Sequence, residues 1–224
     1  MYTTQQFIAT TYLIVLLISF DCSLVSYRLQ YSHNLKFFSI FLGITVITEL
    51  IASFFIYKFY PNSNYPAYNV FFLIQLFSMG YYFRLLIKSS LFRKAIIVVI
   101  PFYLAFWIYT TVIISTIDNW NSYAGMLGDL IIIILTSRYL FELFTSDELA
   151  SLKKHSEFWI AIGILFFSCC ELPITGILNF FVKDSTSLAG RLSGILQVLN
   201  ILMYLIFIYA YLCRIKPTVK KSLS

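Results

Sequence analysis

The sequence predicts an all-α membrane protein of seven transmembrane helices in one domain, and three observations predict it. Of the 224 residues, 60% are hydrophobic and only 12% are charged, about half the charged share of an ordinary soluble domain. The mean hydropathy is +0.83. The apolar residues also fall into runs of about 20, the length needed to cross a hydrocarbon core as a helix. These runs are 7–27, 37–57, 67–87, 95–116, 122–143, 158–181 and 192–213. Connections between them are short, which leaves no room for a soluble domain. The net charge of +6 is therefore not read as a nucleic-acid signal, because basic residues in such a chain collect in cytoplasmic loops.

Met1 to Gln6 carries no basic leader and no clear small-residue cleavage site, so the first helix is expected to be retained. The second run places Thr45, Glu49 and Ser53 at i, i+4 and i+8, one face of a helix. Lys58 to Pro66, KFYPNSNYP, reads as a turn-rich loop. On the third run Gln75, Ser78, Met79 and Tyr82 share a face. Asp118-Asn119-Trp120-Asn121 reads as a second loop on the same side, with Trp120 suited to the membrane interface. The fifth run approaches Asp129 through Gly125-x-x-Gly128, small residues that permit close helix packing or ligand access. FTSDELASLKKHSE then predicts a short helical turn on the membrane surface. The sixth run, FWIAIGILFFSCCELPITGILNFF, carries Ser168, Glu171 and Thr175, with Pro173 as a hinge that removes a backbone N–H. The seventh lines up Gln197, Asn200 and Tyr204. It ends in the basic tail RIKPTVKKSLS, which suits anionic lipid.

Lysine and arginine counts orient the chain. One side receives Arg28 and Lys36; Arg84, Lys88, Arg93 and Lys94; Arg138, Lys153 and Lys154; and Arg214, Lys216, Lys220 and Lys221. The other receives only Lys58, Lys183 and Arg191. The rule of positive cytoplasmic loops puts the N-terminus outside and the C-terminus in the cytoplasm.

Depth then follows from a rise of about 1.5 Å per residue. From the outer edge, Glu49 and Gln75 lie about 12 Å deep, Asp129 and Asn200 about 10 Å, Glu171 about 10–15 Å and Gln197 about 6 Å. Five helices thus bring polar side chains to similar depth. With Tyr82 and Tyr204 they form a candidate ligand-binding pocket, centred on the acids Glu49, Asp129 and Glu171. A charge in hydrocarbon costs about 2.5–3.5 kcal/mol on insertion scales, so such residues face a bundle interior or a wet cavity. The bland reading is that amides serve as interhelical glue and carboxyls sit protonated in a dry seam. No lysine or arginine lies at that depth, so the countercharge would be a proton, a metal cation or a cationic ligand. A second layer, Asp21, Arg84, Arg138 and Glu142, reads as an inner lock or gate. Arg138 and Glu142 are an i, i+4 pair, and Asp21 calls for a partner such as Arg84.

Glu49, Gln75 and Tyr82 recur as Glu171, Gln197 and Tyr204 at a constant offset of 122 residues. This suggests a 3+1+3 parallel repeat with the fourth helix as linker, a plan used by small carriers.

FWIAIGILFF (Phe158 to Phe167), Leu172-Pro173 and LNILMYLIFIYAYLC (Leu199 to Cys213) resemble a family of uncharacterised bacterial seven-helix integral inner-membrane proteins. YNVFFLIQ from Tyr68 and Thr48-Glu49-Leu50 fit the same pattern. Members of that family often resemble neighbours of sensor histidine kinases. The resemblance implies a multi-pass protein of the bacterial inner membrane and, by analogy, a sensor kinase or other membrane protein as partner. It carries no established activity.

Other classes are disfavoured. The seventh run has no lysine for a retinal Schiff base. Neither His33 nor His155 lies in a membrane run, so no membrane-hydrolase set, metal site or cofactor is expected. Cys22, Cys169, Cys170 and Cys213 read as small packing residues. The expectation is a non-enzymatic receptor-like or sensory protein that binds a small polar or cationic ligand, or protons. The alternative is a small solute or cation transporter using the same acids.

Overall fold

The computed structural model describes residues 2–28, 32–56, 64–115, 117–146, 155–181 and 186–219. The chain is an all-helical multi-pass membrane protein: these residues form no strand, and seven helices are long and apolar enough to cross a membrane. They are α1 (Tyr2–Arg28), α2 (His33–Leu50), α3 (Tyr65–Leu86), α4 (Ser90–Tyr109), α5 (Ser122–Phe144), α6 (Ser156–Phe181) and α7 (Thr186–Val219). Two wider π-helical segments, Ile51–Ile56 and Thr110–Ser115, continue α2 and α4. Most of the loop beginning at Lys58, the helical turn expected over 147–154, the tail from Lys220, and Lys183 lie outside the described residues.

Helices α1, α2, α3, α5, α6 and α7 close into a ring in that order, and α4 packs outside it on α3 and α5. Its outer face is correspondingly apolar and open: Val98 is 69% and Val112 71% exposed. Lipid tails are as apolar as leucine, so close packing rather than water exclusion holds such helices together. Small residues provide the close approach. A Cβ placed on Gly163 of α6 would lie 2.9 Å from the Phe207 ring of α7. One on Gly125 of α5 would lie 3.1 Å from the Thr175 methyl of α6 and 3.2 Å from the Phe72 ring of α3. Around this, Phe38, Tyr82, Phe83 and Phe207 form a fully buried aromatic core. The Phe38 ring meets Tyr82 at 5.1 Å and Phe207 edge-on at 5.1 Å. Such ring pairs contribute about 0.5–1.5 kcal/mol each beyond the area they bury.

Polar knots tie the two ends. Where α3 and α5 begin, Asn69 donates through Nδ2 to the carbonyls of Ile117 and Asn119, both at 2.8 Å. Its Oδ1 accepts from the Asn121 amide at 3.1 Å, and its carbonyl accepts from the Trp107 indole at 2.8 Å. Asn121 in turn donates to the Thr110 and Thr111 hydroxyls at 2.9 and 2.8 Å. It also caps α5 by accepting from the Ala124 amide at 3.1 Å. Every side-chain donor of both asparagines is used, as burial in a dry bundle demands.

At the opposite end Glu142 accepts from the amides of Lys88 at 2.6 Å and Ser89 at 3.2 Å. It also accepts from Arg138 Nε at 3.0 Å and pairs with Arg138 Nη2 at 2.9 Å. The turn between α3 and α4 is thereby held to three residues, 87–89. Arg93 and Lys94, expected in a loop, fall instead in the opening turns of α4. A hydropathy window does not register charged residues in a terminal turn.

Candidate functional site

Inside the ring, a cavity of about 500 Å³ runs from Asn64, Tyr65, Trp120 and Gly190, at the end where α1 begins, down to Phe207 in the aromatic core. The six ring helices contribute to its wall and α4 does not. No lysine, arginine or histidine lines it among the described residues.

Glu49 is its best-held acid. Tyr12 of α1 donates its hydroxyl to Oε1 at 2.7 Å, and Tyr68 of α3 donates to Oε2 at 3.1 Å. One donor per oxygen fixes the carboxyl between two helices and leaves acceptor capacity facing the cavity. Thr45 and Ser53, one turn to either side, line the same wall, so the i, i+4, i+8 stripe is continuous. Thr45 returns its own hydroxyl to the Phe41 carbonyl at 3.0 Å.

Glu171 lines the far wall, from α6. Its Oε2 is buried and has no hydrogen-bond partner. The group within hydrogen-bonding reach is the Asp129 carboxyl of α5. A carboxylate only accepts, so this contact is a hydrogen bond only when the pair holds a proton.

Aromatic rings cover one end. Trp120 meets Tyr65 at 5.8 Å, Tyr68 at 6.1 Å and Phe72 at 5.3 Å, and its indole N–H is buried with no partner. Deeper in, Tyr12 meets Tyr204 at 6.0 Å. The volume, the largely apolar lining and the few converging polar groups are those of a small-molecule site.

Of the eight residues expected to share a pocket, Glu49, Gln75, Glu171, Gln197, Asn200 and Tyr204 line this cavity. Asp129 does not. Only 5% exposed, it is turned into the α5/α6 contact and stands behind Glu171. The three acids therefore divide into Glu49 on one side and a Glu171–Asp129 pair on the other. Tyr82 does not reach the cavity either; it is fully buried in the aromatic core, and its hydroxyl has no partner. Asn200 spends a donor on the Leu196 carbonyl at 3.1 Å, along its own helix. Pro173 sits within continuous α6 on an exposed face.

In the inner layer Arg138 pairs with Glu142, but Asp21 and Arg84 do not pair. Both are exposed, and α1 borders α2 and α7 in the ring while α3 borders α2 and α5. The separation of their helices keeps them apart.

Tyr12, Tyr68, Trp120 and Asn69 were not singled out as site residues by sequence. Tyr68 had one available signal, its seven-residue spacing from Gln75 on the same helical face. Tyr12 had none.

No protein-family model, curated protein or solved structure matches this chain.

Proposed function

We propose that this protein is a receptor-like or sensory multi-pass membrane protein, and that its cavity binds a small organic cation. The observation that carries this reading is Glu49, held by the Tyr12 and Tyr68 hydroxyls in the wall of a 500 Å³ aromatic-lined cavity that has no basic residue among its described lining. A carboxylate beside aromatic rings is the chemistry that recognises an ammonium group. Glu171, on the opposite wall, supplies a second acid. The lining serines, Ser53, Ser168 and Ser193, have no histidine among the described lining, which favours binding over catalysis.

In this reading the mouth near Tyr65 and Trp120 faces outward, because 13 of 16 lysines and arginines fall at the opposite side. Occupancy would bias the packing of α6, which carries Pro173, and pass to the basic end of the bundle, where a sensor kinase or another membrane protein reads it. The bacterial inner membrane is the location that the family resemblance suggests.

A carrier is the second reading. The ring order supports it, since α1–α2–α3 and α5–α6–α7 adjoin one another twice, at α3/α5 and at α7/α1, as a two-fold repeat requires. The offset of 122 residues agrees with that arrangement. Purified protein in liposomes separates the two readings, with tetramethylammonium as the probe. Saturable binding without flux, weakened by Glu49→Gln, supports the receptor. Flux abolished by Glu171→Gln supports the carrier. Absence of both binding and flux overturns the organic-cation site.

A further inference from the structure

A second cavity, about 400 Å³, lies between α3 and α4 at the end opposite the ligand cavity. Its lining is unlike that of the first. Arg84 of α3 and Arg93 and Lys94 of α4 all border it, with Ser90 beside them and Tyr81, Leu85 and Ile97 as the apolar flank. No aspartate or glutamate lines it, and none of the three basic residues forms an ion pair among the described residues. The nearest acid by topology, Glu142, is already engaged by Arg138 and by the amides of Lys88 and Ser89. Three like charges thus converge on one groove without compensation.

The groove also contains the start of α4. Ser90, the first residue of α4, lines the groove, while the amides of Lys88 and Ser89 just before it are taken by Glu142. Two guanidinium groups and a lysine form a donor set for phosphate oxygens. Tyr81 and Ile97 on the flank are 41% and 51% exposed, which places the groove where polar heads meet hydrocarbon.

We propose that this groove binds a phosphate-bearing anion at the membrane surface, with the apolar flank favouring a phospholipid headgroup as its source. A bound phosphate would offset the repulsion among Arg84, Arg93 and Lys94 and clamp α4 to α3. The site is independent of the ligand cavity, since α4 takes no part in that cavity's wall.

Native mass spectrometry of the full chain, released from micelles holding equal phosphatidylglycerol and phosphatidylcholine of identical acyl chains, tests this. The wild type is expected to retain phosphatidylglycerol about tenfold over phosphatidylcholine, and each of Arg84→Gln, Arg93→Gln and Lys94→Gln to lower retention about fivefold. Replacing Arg28 and Lys36 by Gln, which removes two charges that do not line the groove, should leave retention unchanged. Free glycerol phosphate is the second arm. Displacement of the lipid by it at comparable concentration supports the phosphate site with a soluble source; no displacement supports the lipid. Equal retention of both lipids, or a loss that follows total charge wherever it is removed, overturns the proposal. The groove residues are exposed, so the variants should keep their helical signal. Lys94→Glu, a single reversal, carries the same test if a neutral variant does not.

Discussion

The Asn69–Asn121 knot and the Glu49–Glu171 cavity sit in one bundle and handle buried polarity in opposite ways. In the knot, six side-chain hydrogen bonds of 2.8–3.1 Å satisfy both amides, and nothing is left facing a void. In the cavity wall, the buried Glu171 Oε2 and Trp120 indole N–H have no partner. Groups of the same polarity thus act as a fastener in one place and stay unsatisfied in the other. The difference is completeness: a satisfied network rigidifies, and an incomplete one leaves capacity for something else.

The sharpest way to break the comparison is Asn69→Ala. It removes three side-chain bonds and takes the acceptor from the buried Asn121 amide, so the midpoint of denaturant unfolding in micelles should fall by about 3 kcal/mol of stability. Tetramethylammonium affinity should change little in the fraction still folded. Next comes Gly163→Ala, where the added methyl meets Phe207, a ring only 1% exposed. Overpacking of this kind costs about 1–3 kcal/mol, readable as a lower unfolding temperature.

Smaller again in stability, about 1 kcal/mol or less, are Glu49→Gln and Glu171→Gln, because a neutral isostere keeps the shape and hydrogen-bonding reach of the acid. Their effect belongs to binding. Glu49→Gln should weaken the cation probe by tenfold or more in isothermal titration, about 1.4 kcal/mol. A large stability loss with unchanged binding would put the cavity in the same class as the knot. Last is Arg138→Gln. Its i, i+4 pair with Glu142 is partly exposed, and about 0.5 kcal/mol is expected from thermal unfolding.

Seven helices were legible because hydropathy reads length, and length is what a membrane demands. The stripes Thr45/Glu49/Ser53 and Gln197/Asn200/Tyr204 were legible because i+4 spacing is local geometry. What a helix faces is not local. Asp129 shares its depth with Glu171 but points at it from behind, an angle set by where α6 packs on α5. Tyr82 follows Gln75 by seven residues, as Tyr204 follows Gln197, yet only Tyr204 reaches the cavity. Tyr82 packs instead against Phe38 and Phe83, a placement set by how α3 meets α2. Tyr12 is one of 17 tyrosines, and no pattern distinguishes it before the fold closes. The π-helical turns escaped for a related reason: one residue of extra width leaves the hydropathy of a span unchanged.

Because α4 lies outside the ring, the molecule has a built-in place for a probe. A nitroxide spin label at Val98 or at Val112 would ride on the lipid-facing side of a helix that touches no part of the cavity wall. Collision with oxygen in the hydrocarbon and with a water-borne nickel chelate at the surface would then rank the two positions by immersion depth. If the chelate is sealed in the vesicle lumen or left outside, the same labels report which way round the bundle is threaded, with the ligand cavity untouched.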